Sequence, residues 1–246
     1  MSVQKAKGTF VVTGAGRGLG ASLAVAAAND GYNVAILSRT ESDLLKVKNQ
    51  IDSQKQNCKC TIHVCDLTNE SEVNSAFIDI KKEHESITVL VNNAATWTGG
   101  KTVEELSTDD LKNSLDLNFY SAFLPTQASL KIWRERKSDD LCIINIGATA
   151  SKRGGNKTAA FAIAKSSLRI LSESLAKELG KEGVHVGHLI IDGLIANERT
   201  KKLNPNTSAD SFIPPESIAN TIINVANQDR GCWTFEWEVR PYNEKW

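Results

Sequence analysis

The sequence predicts an α/β protein: a single doubly wound domain, with a seven-stranded parallel sheet flanked by helices on both faces. Short, continuous apolar runs alternate with amphipathic stretches from one end to the other. Strands that are apolar without interruption need cover on both faces, and right-handed crossover helices provide it. The length, 246 residues, suits one domain of the larger α/β kind. No repeat and no low-complexity linker divides the chain, so the domain is expected to run over residues 1–246.

Thr9-Phe10-Val11-Val12 is the first apolar run and ends at Thr13-Gly14. A helix follows, with Leu19, Leu23, Ala24 and Ala27 on one face, and Gly31 stops it. Val34 to Leu37 reads as the second strand. Residues 41–54 form a helix in which Leu44, Val47 and Ile51 recur about a turn apart. Thr61 to Val64 is the third strand, and residues 69–84 carry Val73, Phe77 and Ile80 at helical spacing. Ile87 to Val91 is the fourth strand, and residues 107–137 give one bent helix or two consecutive ones. Leu141 to Ile146 is the fifth strand. The clearest helix spans 158–180, where Phe161, Ala164, Leu168, Leu171, Leu175 and Leu179 recur at intervals of three and four. Val184 to Ile191 is the sixth strand, 215–228 another helix, and Trp233 to Val239 a seventh, alternating strand of the edge type. The one long irregular segment, Gly193 to Pro214, leaves the carboxyl end of the sixth strand, where ligands bind in such folds; it is a candidate substrate lid.

Basic and acidic side chains balance at 29 each, so no whole-molecule field gathers nucleic acid or an anionic membrane. No run of apolar residues is long enough to span a bilayer. Met1 to Gly8 is short, basic and polar and lacks the apolar core of a signal peptide, which points to the cytoplasm. The cysteines fit that compartment as free thiols in or near a strand. Cys58, Cys60 and Cys65 cluster, but no second pair or completing histidine gives zinc spacing, and His63, His84, His185 and His188 form no ligand set; no metal is expected.

Between the first strand and first helix runs Thr13-Gly14-Ala15-Gly16-Arg17-Gly18-Leu19-Gly20. The backbone turns sharply there, and glycines let phosphate oxygens approach main-chain N–H groups at the positive end of a helix. Directly after a strand and opening a helix, in a run of βα units, this is the context that a Rossmann dinucleotide site requires. A carboxylate at the end of the second strand would bond an adenosine ribose 2′-hydroxyl and repel a 2′-phosphate. Ser38-Arg39 stands there instead, and Arg17 projects from the loop nearby. Two guanidinium groups and a hydroxyl suit a phosphate, so the expected cofactor is NADP(H).

The spacing of Gly14, Gly18 and Gly20 resembles that of the short-chain dehydrogenase/reductase family, and the resemblance continues along the chain. Asp66-Leu67 after the third strand is similar to the family's adenine-contacting pair. Asn92-Asn93-Ala94-Ala95 after the fourth is similar to its Asn-Asn-Ala-Gly motif, and puts Asn93 and Ala94 beside the cofactor. Asn118 and Lys165 sit where the family keeps its catalytic asparagine and lysine. The resemblance implies hydride transfer to a small-molecule substrate. It also implies a homodimer or homotetramer, built on the helix holding Asn118 and on the 158–180 helix, which is rich in small residues such as Ala159, Ala162 and Ser166.

The chain departs from the family where the proton is handled. The family's tyrosine lies four residues before the lysine, and its serine thirteen before that; Phe161 and Ala148 stand there, with no ionisable or hydrogen-bonding group. Three readings stay open. A donor from elsewhere serves a carbonyl reduction, with Asp192 as candidate because Asp192-Gly193 replaces the family's Pro-Gly beside the nicotinamide, and with Thr149 or Ser151 replacing the missing hydroxyl. Alternatively the substrate is an activated alkene that needs less acid help. In the third reading the chain is a catalytically impaired NADP(H)-binding protein, a sensor or assembly partner, in which Lys165 still holds ribose hydroxyls.

Overall fold

The computed structural model describes residues 6–54, 58–136 and 141–244. Residues 1–5, and residue 137 at the end of the expected bent helix, lie outside the described residues. The strands are β1 (Thr9–Thr13), β2 (Asn33–Ser38), β3 (Cys60–Val64), β4 (Ile87–Asn92), β5 (Leu141–Ile146), β6 (Val184–Ile191), β7 (Leu194–Ile195), β8 (Phe212–Ile213) and β9 (Glu236–Val239). The helices are α1 (Gly18–Asn29), α2 (Glu41–Ser53), α3 (Glu70–Glu83), α4 (Thr108–Leu115), α5 (Ser121–Arg136), α6 (Ala159–Leu179), α7 (Glu198–Leu203) and α8 (Pro215–Ala226). Seven strands form one parallel sheet in the order β3-β2-β1-β4-β5-β6-β9. The order reverses between β1 and β4, which opens a crevice at their carboxyl ends.

Strand alternation divides the core. Phe10 and Val12 of β1 pack in one layer with Leu23 and Ala27 of α1 and Ile218 and Ile222 of α8. Val11 faces the other layer, with Phe77 of α3, Ile132 of α5 and Leu175 of α6. Because both faces are covered, β5 and β6 are buried at every position.

Three segments refine the sequence reading. The 107–137 stretch is two helices joined by a π-helical turn, Asp116–Tyr120. Pro125 has no N–H to give to the Ser121 carbonyl, so the helical ladder is interrupted there. Residues 193–214 are not irregular: β7 and β8 pair in a small parallel sheet, with α7 between them. The edge strand begins at Glu236, not Trp233. The Trp233 ring stacks on His185 at 5.0 Å, and Gln228 engages both the backbone N–H and the hydroxyl of Thr234, which takes this stretch out of the ladder.

Candidate active site

A cleft of about 480 Å³ lies over the carboxyl ends of the parallel strands, at the point where their order reverses. One wall is the glycine loop, and β4 holds it from beneath. Thr13 Oγ1 accepts from the backbone N–H groups of Asn93 and Ala94 at 3.0 and 3.2 Å. Asn93 Nδ2 in turn donates to the carbonyls of Thr13 and Gly14 at 3.0 and 3.2 Å. Gly14 takes φ +64° and lies so close to Ala94 that a Cβ there would stand 2.8 Å from its Cα. The first turn of α1 has neither a side-chain cap nor an acidic residue, which leaves its orphan N–H groups and positive end for an anion.

Gly20 needs its hydrogen for a different reason. A Cβ would collide with the Gly14 carbonyl and stand 2.7 Å from Asn93 Nδ2, both fixed parts of the loop anchor. Gly20→Ala is therefore expected to cost about 1–3 kcal/mol of stability and to weaken dinucleotide binding about tenfold or more. Thermal melting and a binding titration check this; an unchanged melting temperature and affinity would remove the anchor argument.

At the outer end of the cleft lie Arg17, Ser38, Arg39, Thr40, Asp43 and Asp66. Both arginines are exposed, and neither is in a salt bridge among the described residues. Asp43 is the carboxylate nearest Gly16, and Lys46 pairs with it at 3.0 Å. The Asp66 carboxylate accepts from the Thr68 backbone and hydroxyl at 2.9 and 2.8 Å. The Thr68 backbone bond is the main cause holding its carboxyl below the usual range, and the Arg39 charge adds to it.

The inner end is built from Ala94, Thr96, Leu117, Ile146, Gly147, Ala148, Phe161, Lys165, Ile191 and Ile195. Lys165 is 3% exposed, and its Nζ donates to the Ile146 carbonyl at 2.8 Å. Burial pushes its ammonium down to about 8. The Nζ stands 5.9 Å from the centroid of the Phe161 ring, whose other neighbour is the Trp97 indole at 4.9 Å. Phe161 and Ala148 both line the cleft, so the positions where the resemblance expects a phenol and a hydroxyl present only carbon.

Of the residues singled out by sequence for cofactor and chemistry, Gly14, Arg17, Leu19, Gly20, Ser38, Arg39, Asp66, Leu67, Asn93, Ala94 and Lys165 line this cleft. Gly18, Asn118 and Asp192 do not. Gly18 supplies a left-handed turn at φ +56°. Asn118 sits in the π-helical turn, where Oδ1 accepts from the Thr96 backbone at 3.0 Å and Nδ2 donates to the Ser114 carbonyl at 3.2 Å. It fixes Thr96, which does line the cleft.

Asp192, expected as the proton donor, does not line the cleft. Its Oδ2 pairs with Arg240 at 2.8 Å, and its Oδ1 accepts from the Thr149 hydroxyl. A carboxylate held between a guanidinium and a hydroxyl donor anchors the loop after β5. Thr149 spends its one proton on that bond, Ser151 Oγ accepts from the Ala148 N–H at 3.2 Å, and neither residue lines the cleft. Thr13, which clamps the glycine loop, was not singled out by sequence; its place between an apolar run and the first glycine was the available signal.

Comparison with known proteins agrees with this fold. The family model for short chain dehydrogenases matches residues 8–208. A 3beta-hydroxysteroid dehydrogenase of Mediterraneibacter gnavus is 29% identical over 71% of this chain, which spans 62% of that relative's length. An uncharacterized oxidoreductase of Staphylococcus aureus strain N315 is 27% identical over 94% of this chain and 96% of its own. The crystal structure of a metagenomic short-chain oxidoreductase in complex with NADP is 25% identical, covers 96% of this chain and 98% of its own, and superposes with a TM-score of 0.80. The chain belongs to the short-chain dehydrogenase/reductase family, a family of oxidoreductases.

Proposed function

We propose that this chain is an NADP(H)-dependent oxidoreductase that transfers hydride to a small apolar carbonyl or activated alkene with a non-standard proton donor. The observation that carries the reading is one continuous cleft. Its outer end has an open helix N-terminus and two unbridged arginines, and its inner end has apolar walls around the single cation Lys165. Arg17 and Arg39 with Ser38 suit a 2′-phosphate better than a bare ribose, and Lys46 already neutralises the nearest acid, Asp43. When bound, NADPH supplies the hydride. Lys165 orients the ribose, Asn93 and Thr13 keep the loop closed on the pyrophosphate, and Ala148, Phe161 and Ile195 exclude water from the reacting centre. The β7–β8 flap serves as substrate lid, since Gly193, Ile195 and Asn197 reach the cleft from it. A dimer joined through the exposed Tyr120, Ile163 and Ile170 completes the reading.

The second reading, an NADP(H)-binding protein without efficient chemistry, is favoured by one observation: Asp192, Thr149 and Ser151 all make other bonds. A single experiment separates the two. NADPH oxidation is followed with dicarbonyls, quinones, enones and enoyl thioesters while tryptophan quenching reports binding, Trp97 lying against the cleft residue Phe161. Turnover on any class, with quenching, is the expected result. Quenching without oxidation across the panel makes the chain a binding protein.

A further inference from the structure

We infer that Lys165 is itself the proton donor of the reduction, giving a proton from Nζ directly to the substrate oxygen that stands over Phe161 and Ala148. The inference rests on the oxidoreductase reading above and adds the group that reading leaves unnamed.

Lys165 is the one ionisable side chain at the inner end of the cleft among the described residues. The other ionisable lining groups, Arg17, Arg39, Asp43, Cys65 and Asp66, belong to the glycine loop, the ends of β2 and β3, and the first turn of α2. The hydroxyl and carboxyl groups nearest Ala148 lie off the cleft: Thr149 donates to Asp192, and Ser151 Oγ accepts from the Ala148 N–H. Lys165 has donors to spare. An ammonium carries three N–H bonds. One goes to the Ile146 carbonyl, which leaves one for a ribose hydroxyl and one for a substrate oxygen. With phenylalanine at 161 no phenol stands between Nζ and the substrate, and the ring beside the ammonium is a π-face that accepts no proton.

The setting makes that proton available. Lys165 is carried on α6, and β5, β6, α4 and the π-helical turn pack against that helix. The ionisable group of these elements that its charge reaches is His188 on β6. That imidazole is pushed down to about 3, by burial first and by the Lys165 charge next, so it is neutral and offers no compensating negative charge. Burial alone accounts for the Lys165 shift, and no carboxylate steadies the ammonium. Below about pH 8 the group is charged and can donate; above it the amine dominates and reduction slows.

The step balances. The hydride supplies the electron pair for the new C–H bond as the C=O π bond breaks. One Nζ–H bond of Lys165 breaks as the O–H bond forms, giving an alcohol and a neutral amine, which takes up one proton from water. For an enone the hydride enters at the β-carbon and the same proton goes to the enolate oxygen.

The test compares wild type with Lys165→Arg, whose guanidinium keeps charge and donors but does not release a proton. Turnover is expected to fall about 10²–10⁴-fold while NADPH quenching stays within about tenfold. The wild-type rate is expected to drop about tenfold per pH unit above pH 8, in step with the free amine. The proton is also read without activity, by NMR titration of 15N- and 13C-lysine-labelled protein, with the Lys165 signal assigned by its loss in the variant. A midpoint near the value set by burial is expected, and Lys165→Met gives the assignment if the arginine variant does not fold. A rate within about threefold of wild type for Lys165→Arg, or a Lys165 signal unmoved up to about pH 10, overturns the inference and leaves the reductase. Wild type that binds NADPH and turns over nothing removes the reductase reading and this inference with it.

Discussion

Phe161→Tyr with Ala148→Ser is expected to raise carbonyl reduction by about 10²–10⁴-fold, the range that a positioned general acid supplies. The double variant restores a phenol and a hydroxyl at two positions that already line the cleft. Ala148 has extended backbone, φ −152° and ψ 173°, which serine adopts without cost. Position 161 lies in the first turn of α6 with Lys165 one turn further on, so a phenol there shares a helix face with the ammonium. That charge favours the phenolate and draws the tyrosine pKa below its ordinary value of about 10. The single variants apportion the gain: Phe161→Tyr adds the acid, and Ala148→Ser adds only a hydrogen bond to the carbonyl, worth about tenfold. The tyrosine variant also changes what Lys165 is for. Lys165→Arg, damaging in wild type, is expected to damage it less once a second acid stands in the cleft. A double variant that binds NADPH and reduces carbonyls no faster than wild type means that the inner cleft has lost more than two groups, and favours the binding-protein reading.

Local patterns carried most of the fold. The apolar runs of β1, β2, β4, β5 and β6 are buried on both faces, and an uninterrupted run is the sequence form of that environment. In α6 the predicted stripe faces the core: Phe161, Ala164, Leu168, Leu175 and Leu179 are buried, and Leu171 is half-buried against it. The β7–β8 pair was not legible because each strand has two residues, too short for a period to show. The edge strand was placed three residues early because Trp233, Thr234 and Phe235 continue its alternation, while side chains of Gln228 and His185 hold that stretch elsewhere.

The site divides along the same line. The cleft-lining positions of the glycine loop were legible because the loop is contiguous in sequence and works mainly through its backbone. The proton-handling end was not, because it depends on which polar groups are already occupied. Asp192 is an unpaired carboxylate in the sequence; in the fold Arg240 and Thr149 close on it from either side. Lys165 was legible as a cleft cation from its place in the resemblance. That it is buried, and that burial pushes its ammonium down to about 8, follows only from the packing of α6 on β5 and β6.

Removing the two outer arginines is expected to have the other large effect. Arg17→Ala with Arg39→Ala should raise the KM for NADPH by about 10²–10³-fold, since each charge-assisted contact to a phosphate is worth about 1.5–3 kcal/mol. Because both guanidinium groups would grip one phosphate, the double variant should lose less than the two single losses combined. The KM for NADH, which lacks that phosphate, should change by less than about threefold. Both arginines are exposed, so the contribution is screened, and raising the salt concentration should weaken NADPH binding to wild type more than to the double variant. Arg39 also bears on the base end of the cleft through its charge on Asp66, so a modest common loss for both cofactors belongs to that residue alone. Ser38→Asp probes the same place with the opposite sign. A carboxylate at the end of β2 repels a 2′-phosphate and accepts from a 2′-hydroxyl, so the preference should turn toward NADH. If NADPH and NADH respond alike to all three substitutions, the arginines act on the pyrophosphate or the fold, and the 2′-phosphate plays no part in cofactor choice.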